Sequence, residues 1–308
     1  MRLMDDLRYW LGFNLVRGIG PVRLRMLLDM FGDIQSAWGA SEQVLREMKL
    51  DRRSLENFLK VRQQVNLDEV LSRVERAGVH VLTWDSPDYP DLLRQIADAP
   101  PVLFVRGDIT PADEWAVALV GTRKATVYGR EVARVLASDL AQNRVTVVSG
   151  LARGIDSVAH KAALDAGGRT LAVLGSGVDY IYPAEHRKLA DAIAQNGALI
   201  SDYPLGTQPE ASNFPARNRI ISGLSLGVVV VEADVKSGAL ITADFALDQS
   251  REVFAVPGSI LSPASAGCNR LLRDGASIVT EVGDILETLH LDQLSEKQMA
   301  REILPSNP

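Results

Sequence analysis

Residues 226–232 read Leu226-Gly227-Val228-Val229-Val230-Val231-Glu232. Four successive valines leave no polar face, and a short run that is apolar at every position marks a strand buried on both sides of a parallel sheet. Working outward, short apolar, β-rich runs occupy residues 79–82, 102–105, 116–120, 145–148, 170–174 and 252–256. Helical patterns fit between them at 126–142, 155–166, 184–196, 215–225 and 242–250. This alternation predicts an α/β domain over residues 67–290, a Rossmann-like doubly wound, mostly parallel sheet with helices on both faces.

Upstream the rhythm is different. Leu7, Trp10, Leu11 and Leu15 recur at helical spacing, as do Leu24, Leu27, Leu28 and Phe31, which predicts a small all-α domain over residues 1–66. Between its first helices lies Arg17-Gly18-Ile19-Gly20-Pro21-Val22-Arg23. Two readings of that stretch stay open: a helix-hairpin-helix (SAM-like) element that offers helix N-terminal amides to a nucleic-acid backbone, or a glycine turn between packed helices. Residues 291–308 read as a polar tail.

The chain has 308 residues and a net charge of −6. An acidic balance speaks weakly against a nucleic-acid partner, but the charge is uneven. Residues 1–66 carry 11 basic and 8 acidic side chains, whereas residues 67–290 carry 20 and 28. Cys268 is the only cysteine, so neither an intrachain disulfide nor a Cys-based zinc site can form, as expected of a cytoplasmic protein. No apolar run reaches membrane-spanning length and no signal-peptide pattern opens the chain, so no membrane association is expected.

In a doubly wound fold, ligands bind outside the carboxyl ends of the strands. The segments in that position are Gly121-Thr122-Arg123-Lys124, Ser149-Gly150-Leu151-Ala152-Arg153-Gly154, Gly175-Ser176-Gly177, and Glu232 followed by Lys236-Ser237-Gly238. Glycine loops at helix starts beside guanidinium groups can cradle phosphate. None has the Gly-x-Gly-x-x-Gly spacing of a dinucleotide site or the Gly-x-x-x-x-Gly-Lys-Ser/Thr pattern of a triphosphate site, so no nucleotide cofactor is expected. The four histidines show no ligand spacing, so no metal is expected either. A second basic element, Asn213-Phe214-Pro215-Ala216-Arg217-Asn218-Arg219, opens an apolar helix. Phe214 can stack on a base while Arg217 and Arg219 hold adjacent phosphates; its other reading is a hydrophobic staple with solvated arginines.

Taken in order, the motifs around Gly121-Thr122-Arg123, Ser149 to Asp156, Gly175 to Asp179, Phe214 to Arg219 and Ser237 to Ala243 resemble those of the DNA-processing protein A (DprA, also called Smf) family over roughly residues 5–290. The resemblance implies a cytoplasmic, non-catalytic protein that binds single-stranded DNA, loads the RecA recombinase onto it in natural transformation, and forms a homodimer through its Rossmann-like domain. Carried over residue by residue, it implies a DNA site of Gly121, Thr122, Arg123, Lys124, Gly150, Arg153, Gly175, Gly177, Phe214, Arg217, Asn218, Arg219 and Lys236. Thr122 stands where the family commonly carries serine, and the hydroxyl survives. Asp156 and His160 match the family motif in a structural role, Asp156 in the first turn of its helix. Many members carry a further winged-helix-like domain after this point, for which the chain is too short. A competing enzymatic reading, a nucleoside-monophosphate phosphoribohydrolase, would need Glu232 and Asp234 as an acid/base pair, and no nucleophile or histidine stands with them.

Overall fold

The structure is a computed structural model that describes residues 2–48 and 50–291. The expected tail, 291–308, lies outside the described residues except for Leu291. Six helices come first: α1 (Arg2–Asn14), α2 (Pro21–Phe31), α3 (Ile34–Gly39), α4 (Glu42–Glu47), α5 (Arg52–Gln64) and α6 (Leu67–Arg76). Side-chain caps set several starts: Asp33, Ser41, Asp51 and Asn66 each accept an orphan amide of the first turn. The helical run therefore continues through α6, ten residues past the boundary expected at 66, because the Asn66 cap begins a new helix that packs on α1. Phe13, Trp38 and Phe58 meet pairwise at ring-centroid distances of 5.1–5.3 Å and form the centre of this bundle.

The remainder alternates as β1 (His80–Thr83), α7 (Asp91–Arg94), β2 (Val102–Gly107), β3 (Ala116–Gly121), α8 (Val127–Gln142), β4 (Thr146–Ser149), α9 (Ile155–Asp165), β5 (Thr170–Val173), α10 (Arg187–Asn196), β6 (Gly197–Ser201), α11 (Asn213–Gly223), β7 (Gly227–Glu232), α12 (Gly238–Asp248), β8 (Glu252–Ala255), α13 (Ala266–Arg273), β9 (Ser277–Ile278) and α14 (Val282–Thr288). The strands form one sheet in the order β1-β2-β6-β5-β4-β3-β7-β8-β9. Pairings from β6 to β9 are parallel, while β2 runs antiparallel to both β1 and β6. All seven expected strands are present. Two were not expected: β6, which follows α10 without a single intervening residue, and the two-residue β9.

Every residue of β7 is buried. Val228 and Val230 join Ala118, Val120 and Val148 in the core on one face, and Val229 and Val231 join Val117, Leu119 and Val147 on the other. Both faces are thus dry, as the four consecutive valines require. The second face continues into the helical bundle, since Phe104, Ala172 and Leu199 share one cluster with Trp10, Phe13 and Phe58. From β3 the chain winds outward through β4, β5 and β6, then returns to β7 on the other side of β3. The crevice between the carboxyl ends of β3 and β7 is therefore the switch point at which such sheets accept ligands.

Candidate nucleic-acid interface

A cavity of about 440 Å³ occupies that crevice. The end of β3 and the loop after it supply Gly121, Thr122, Arg123 and Lys124, the β4–α9 loop and the first turn of α9 supply Ala152 and Asp156, α11 supplies Arg217 and Asn218, and the α12 start supplies Ser237, Gly238 and Thr242. Local chemistry shapes each wall. The Thr126 cap turns the β3–α8 loop into α8, and its amide and hydroxyl both donate to the Glu232 carboxylate, at 2.8 and 2.6 Å. Glu232 is 2% exposed, so the carboxylate that an enzymatic reading would use is committed to holding this loop. Asp234 likewise accepts the Lys236 amide at 2.6 Å.

Arg217 is 3% exposed. Its guanidinium lies over Gly150, where a side-chain carbon would stand 2.6 Å from Cζ, so the β4–α9 loop needs glycine to let it approach. Nε donates to Asn218 Oδ1 at 3.2 Å, whereas Nη1 is buried with no hydrogen-bond partner among the described residues. Burial pushes the guanidinium down to about 10, with the facing Asp156 opposing that shift. Asp156 is itself pushed up by burial, against the pull of Arg217 and of the Ala152 amide that it accepts at 3.2 Å. A buried cation with an unsatisfied donor is costly to keep without an anion.

Above it, Arg123 is exposed and lies over the Phe214 ring, 5.2 Å from Cζ to the centroid. Phe214 rests on Gly175, whose carbonyl accepts from Asn213 Nδ2 at 3.0 Å. Asn218 Nδ2 donates to the Gly238 carbonyl at 3.3 Å and joins α11 to the start of α12. Ser237 caps α12 through the Ala239 amide, so this helix N-terminus, with its partial positive charge, borders the cavity.

The structure thus brings together Gly121, Thr122, Arg123, Lys124, Arg217 and Asn218, backed by Gly150, Gly175 and Phe214. Four expected residues stand apart. Arg219 is two positions from Arg217, about 200° around the helix, and pairs with Asp202 at 2.8 Å and Asp98 at 3.2 Å on the opposite side of α11. Arg217 and Arg219 therefore cannot hold adjacent phosphates in one cavity. Arg153 turns away to a bidentate pair with Glu185, at 2.6 and 2.9 Å. Gly177 pairs with the Thr207 carbonyl beneath the neighbouring loop, and Lys236 sits beside the cavity rim without lining it. Ser237, Gly238 and Asp156 are cavity residues absent from the expected set: the Ser-Gly helix start hinted at the first two, and Asp156 was expected only in a structural role. In the helical bundle, Arg23 folds back on its own hairpin, donating to the Gly18 carbonyl and to Ser54 Oγ and pairing with Asp51 at 2.7 Å. That arrangement matches the packed glycine turn.

His160 is a satisfied core residue on one side. The Thr170 hydroxyl gives its proton to the Val147 carbonyl at 2.7 Å, so His160 Nδ1, 2.7 Å from that oxygen, must be the donor. Burial lowers its pKa to about 3. The unfolded chain takes up this proton near 6.5, so the stability owed to the neutral imidazole is whole above about pH 6.5 and is lost as pH falls toward 3. We expect the His160 ring resonances in an NMR titration to stay in the neutral position from pH 8 to 5; a midpoint near 6 would contradict this environment. Gly154, at φ +80°, opens α9 against the Thr122 carbonyl and Arg123. Gly154→Ala is expected to cost about 2 kcal/mol in denaturant unfolding, from a strained φ and a backbone collision.

Strand order and crevice place the chain in the class of doubly wound Rossmann-like proteins, with its cavity where their ligands bind. Within that class it belongs to the DNA recombination-mediator protein A family, the DprA/Smf proteins, whose family model matches residues 80–290. It is 40% identical over 304 residues to protein Smf of Synechocystis sp., covering 97% of this chain and 76% of that one. DNA processing protein A of Streptococcus pneumoniae superposes with a TM-score of 0.79 at 35% identity, over 91% of this chain and 95% of that one. The Helicobacter pylori protein, whose structure addresses its single-stranded DNA binding mode, gives 0.62 at 32% identity over 69% and 97%. Among the described residues no helix is long and apolar enough to cross a membrane, and no group of three or more acidic, His or Cys residues could hold a metal ion.

Proposed function

We propose that this protein binds single-stranded DNA at the switch-point cavity, without catalysis, and delivers it in the cytoplasm to the RecA recombinase during transformation or general recombination. The buried Arg217 with its unpartnered Nη1 carries the reading, because that cation lines a cavity bordered by Arg123, Lys124 and the α12 N-terminus. A phosphate supplies the missing acceptor. Phe214, already under Arg123, offers a ring to a base, and stacking of this kind is worth about 1–3 kcal/mol without sequence preference. The single-stranded DNA mode of the Helicobacter pylori relative supports the same ligand class.

Association as a homodimer through the Rossmann-like domain would present two such cavities to one strand and raise affinity by avidity. Gel-shift titration of single- and double-stranded oligonucleotides at two salt concentrations tests the ligand. Tighter single-strand binding that weakens with salt, with a log–log slope of about −0.7 per phosphate held, is the expected result. Equal indifference to both forms refutes it. RecA loading is tested by faster filament formation on single strands when this protein is added, and light scattering at micromolar concentration tests the dimer.

A further inference from the structure

The aromatic row does not stop at Phe214. Its ring also meets Tyr182, at a centroid distance of 5.7 Å and an interplanar angle of 48°. Tyr182 and Tyr180 are 44% and 42% exposed, and both line a second cavity of about 580 Å³ on the α10 side of the rim. Three arginines reach that cavity: Arg106, Arg153 and Arg187. Asp191 holds Arg106 at 2.6 Å, Glu185 holds Arg153, and Arg187 has no ion-pair partner among the described residues.

The Arg153–Glu185 pair is more than half exposed on both sides, so it contributes little to stability. A phosphate presents two oxygens to a guanidinium fork much as a carboxylate does, and can replace Glu185 on Arg153. Asp179, Glu185 and Asp191 balance the three arginines in number. A ligand drawn in by net charge alone would find little here, whereas bases need only exposed rings.

We propose that this cavity is a second subsite for single-stranded DNA: the strand leaves the switch-point cavity across Phe214, stacks bases on Tyr182 and Tyr180, and takes Arg153 from Glu185. The inference rests on the proposed DNA binding at the switch point and extends it by a defined path. It also gives Arg153, which lies away from the first cavity, a place on the strand.

Fluorescence anisotropy with a thymidine trinucleotide, short enough to fill the switch-point cavity alone, and with a dodecamer tests the path. Wild-type protein should bind the dodecamer more tightly. Tyr180→Ala, which alters an exposed ring and no ion pair, should weaken the dodecamer about tenfold, leaving the trinucleotide and the salt slope unchanged. Glu185→Gln should tighten dodecamer binding several-fold and steepen its slope by up to about 0.7, because Arg153 is released to a phosphate. If Tyr180→Ala weakens neither oligonucleotide or both equally, or if Glu185→Gln leaves dodecamer binding unchanged, the second subsite is refuted while trinucleotide binding upholds the switch-point site. Failure of wild-type protein to bind either oligonucleotide overturns both.

Discussion

Arg217→Met is expected to unfold at the same temperature as the parent chain or up to about 3 °C above it, and to bind single-stranded DNA roughly a hundredfold more weakly. Stability should hold because the native guanidinium is 3% exposed, forms no salt bridge among the described residues, and leaves Nη1 unsatisfied. An unsatisfied buried donor costs about 1–3 kcal/mol, and methionine keeps most of the packed stem without it. At about 1 kcal/mol net, a chain of this size shifts by only a few degrees. Asp156 loses a facing cation and takes up a proton more readily, yet still accepts the Ala152 amide. Binding should collapse because truncating one partner of a buried charged contact costs about 2–5 kcal/mol, and about 3 kcal/mol is a hundredfold in Kd. Thermal unfolding and anisotropy on one preparation check both halves. A variant that loses several degrees yet keeps its affinity would show that Arg217 serves the fold.

Arg123→Glu makes the complementary test. Here the side chain is exposed, so stability should change by less than about 1 kcal/mol, the worth of a surface cation–π contact with Phe214. The variant removes one phosphate contact and places a repelling carboxylate at the cavity mouth. At low salt a loss of about a hundredfold is expected, with the log–log salt slope shallower by at least about 0.7. Unchanged affinity in a gel shift removes the switch-point cavity from the DNA path.

Much of the fold was legible because burial on both faces demands apolar runs: β3 and β7 carry unbroken ones, and β4 and β5 add only hydroxyl residues that are hydrogen-bonded in the core. The β6 strand was hidden because Gly197 is at once the C-cap of α10 and the first strand residue, so no loop separates the two and only Ala198, Leu199 and Ile200 mark the strand as apolar. The antiparallel direction of β2 was equally hidden, since its register is set by pairing with β6 and not by its own residues. In the candidate site, the loops after β3 and β7 were readable from glycine and helix-start chemistry. The partners of Arg219 were not: Asp98 lies far upstream of it, and Asp202 becomes its neighbour only through the end of β6.

Local chemistry in the chain was enough to determine a doubly wound sheet, a phosphate-compatible rim and the resemblance to a DNA-processing family, because strand burial, helix starts and glycine turns are properties of neighbouring residues. Which arginines line the cavity was decided only in three dimensions. Two guanidinium groups two positions apart point to opposite sides of α11, one over Gly150 at the cavity and the other held by the carboxylates of Asp98 and Asp202. Which side of a helix a charge faces, and which partners meet it there, is set by packing, a long-range property that no local pattern contains.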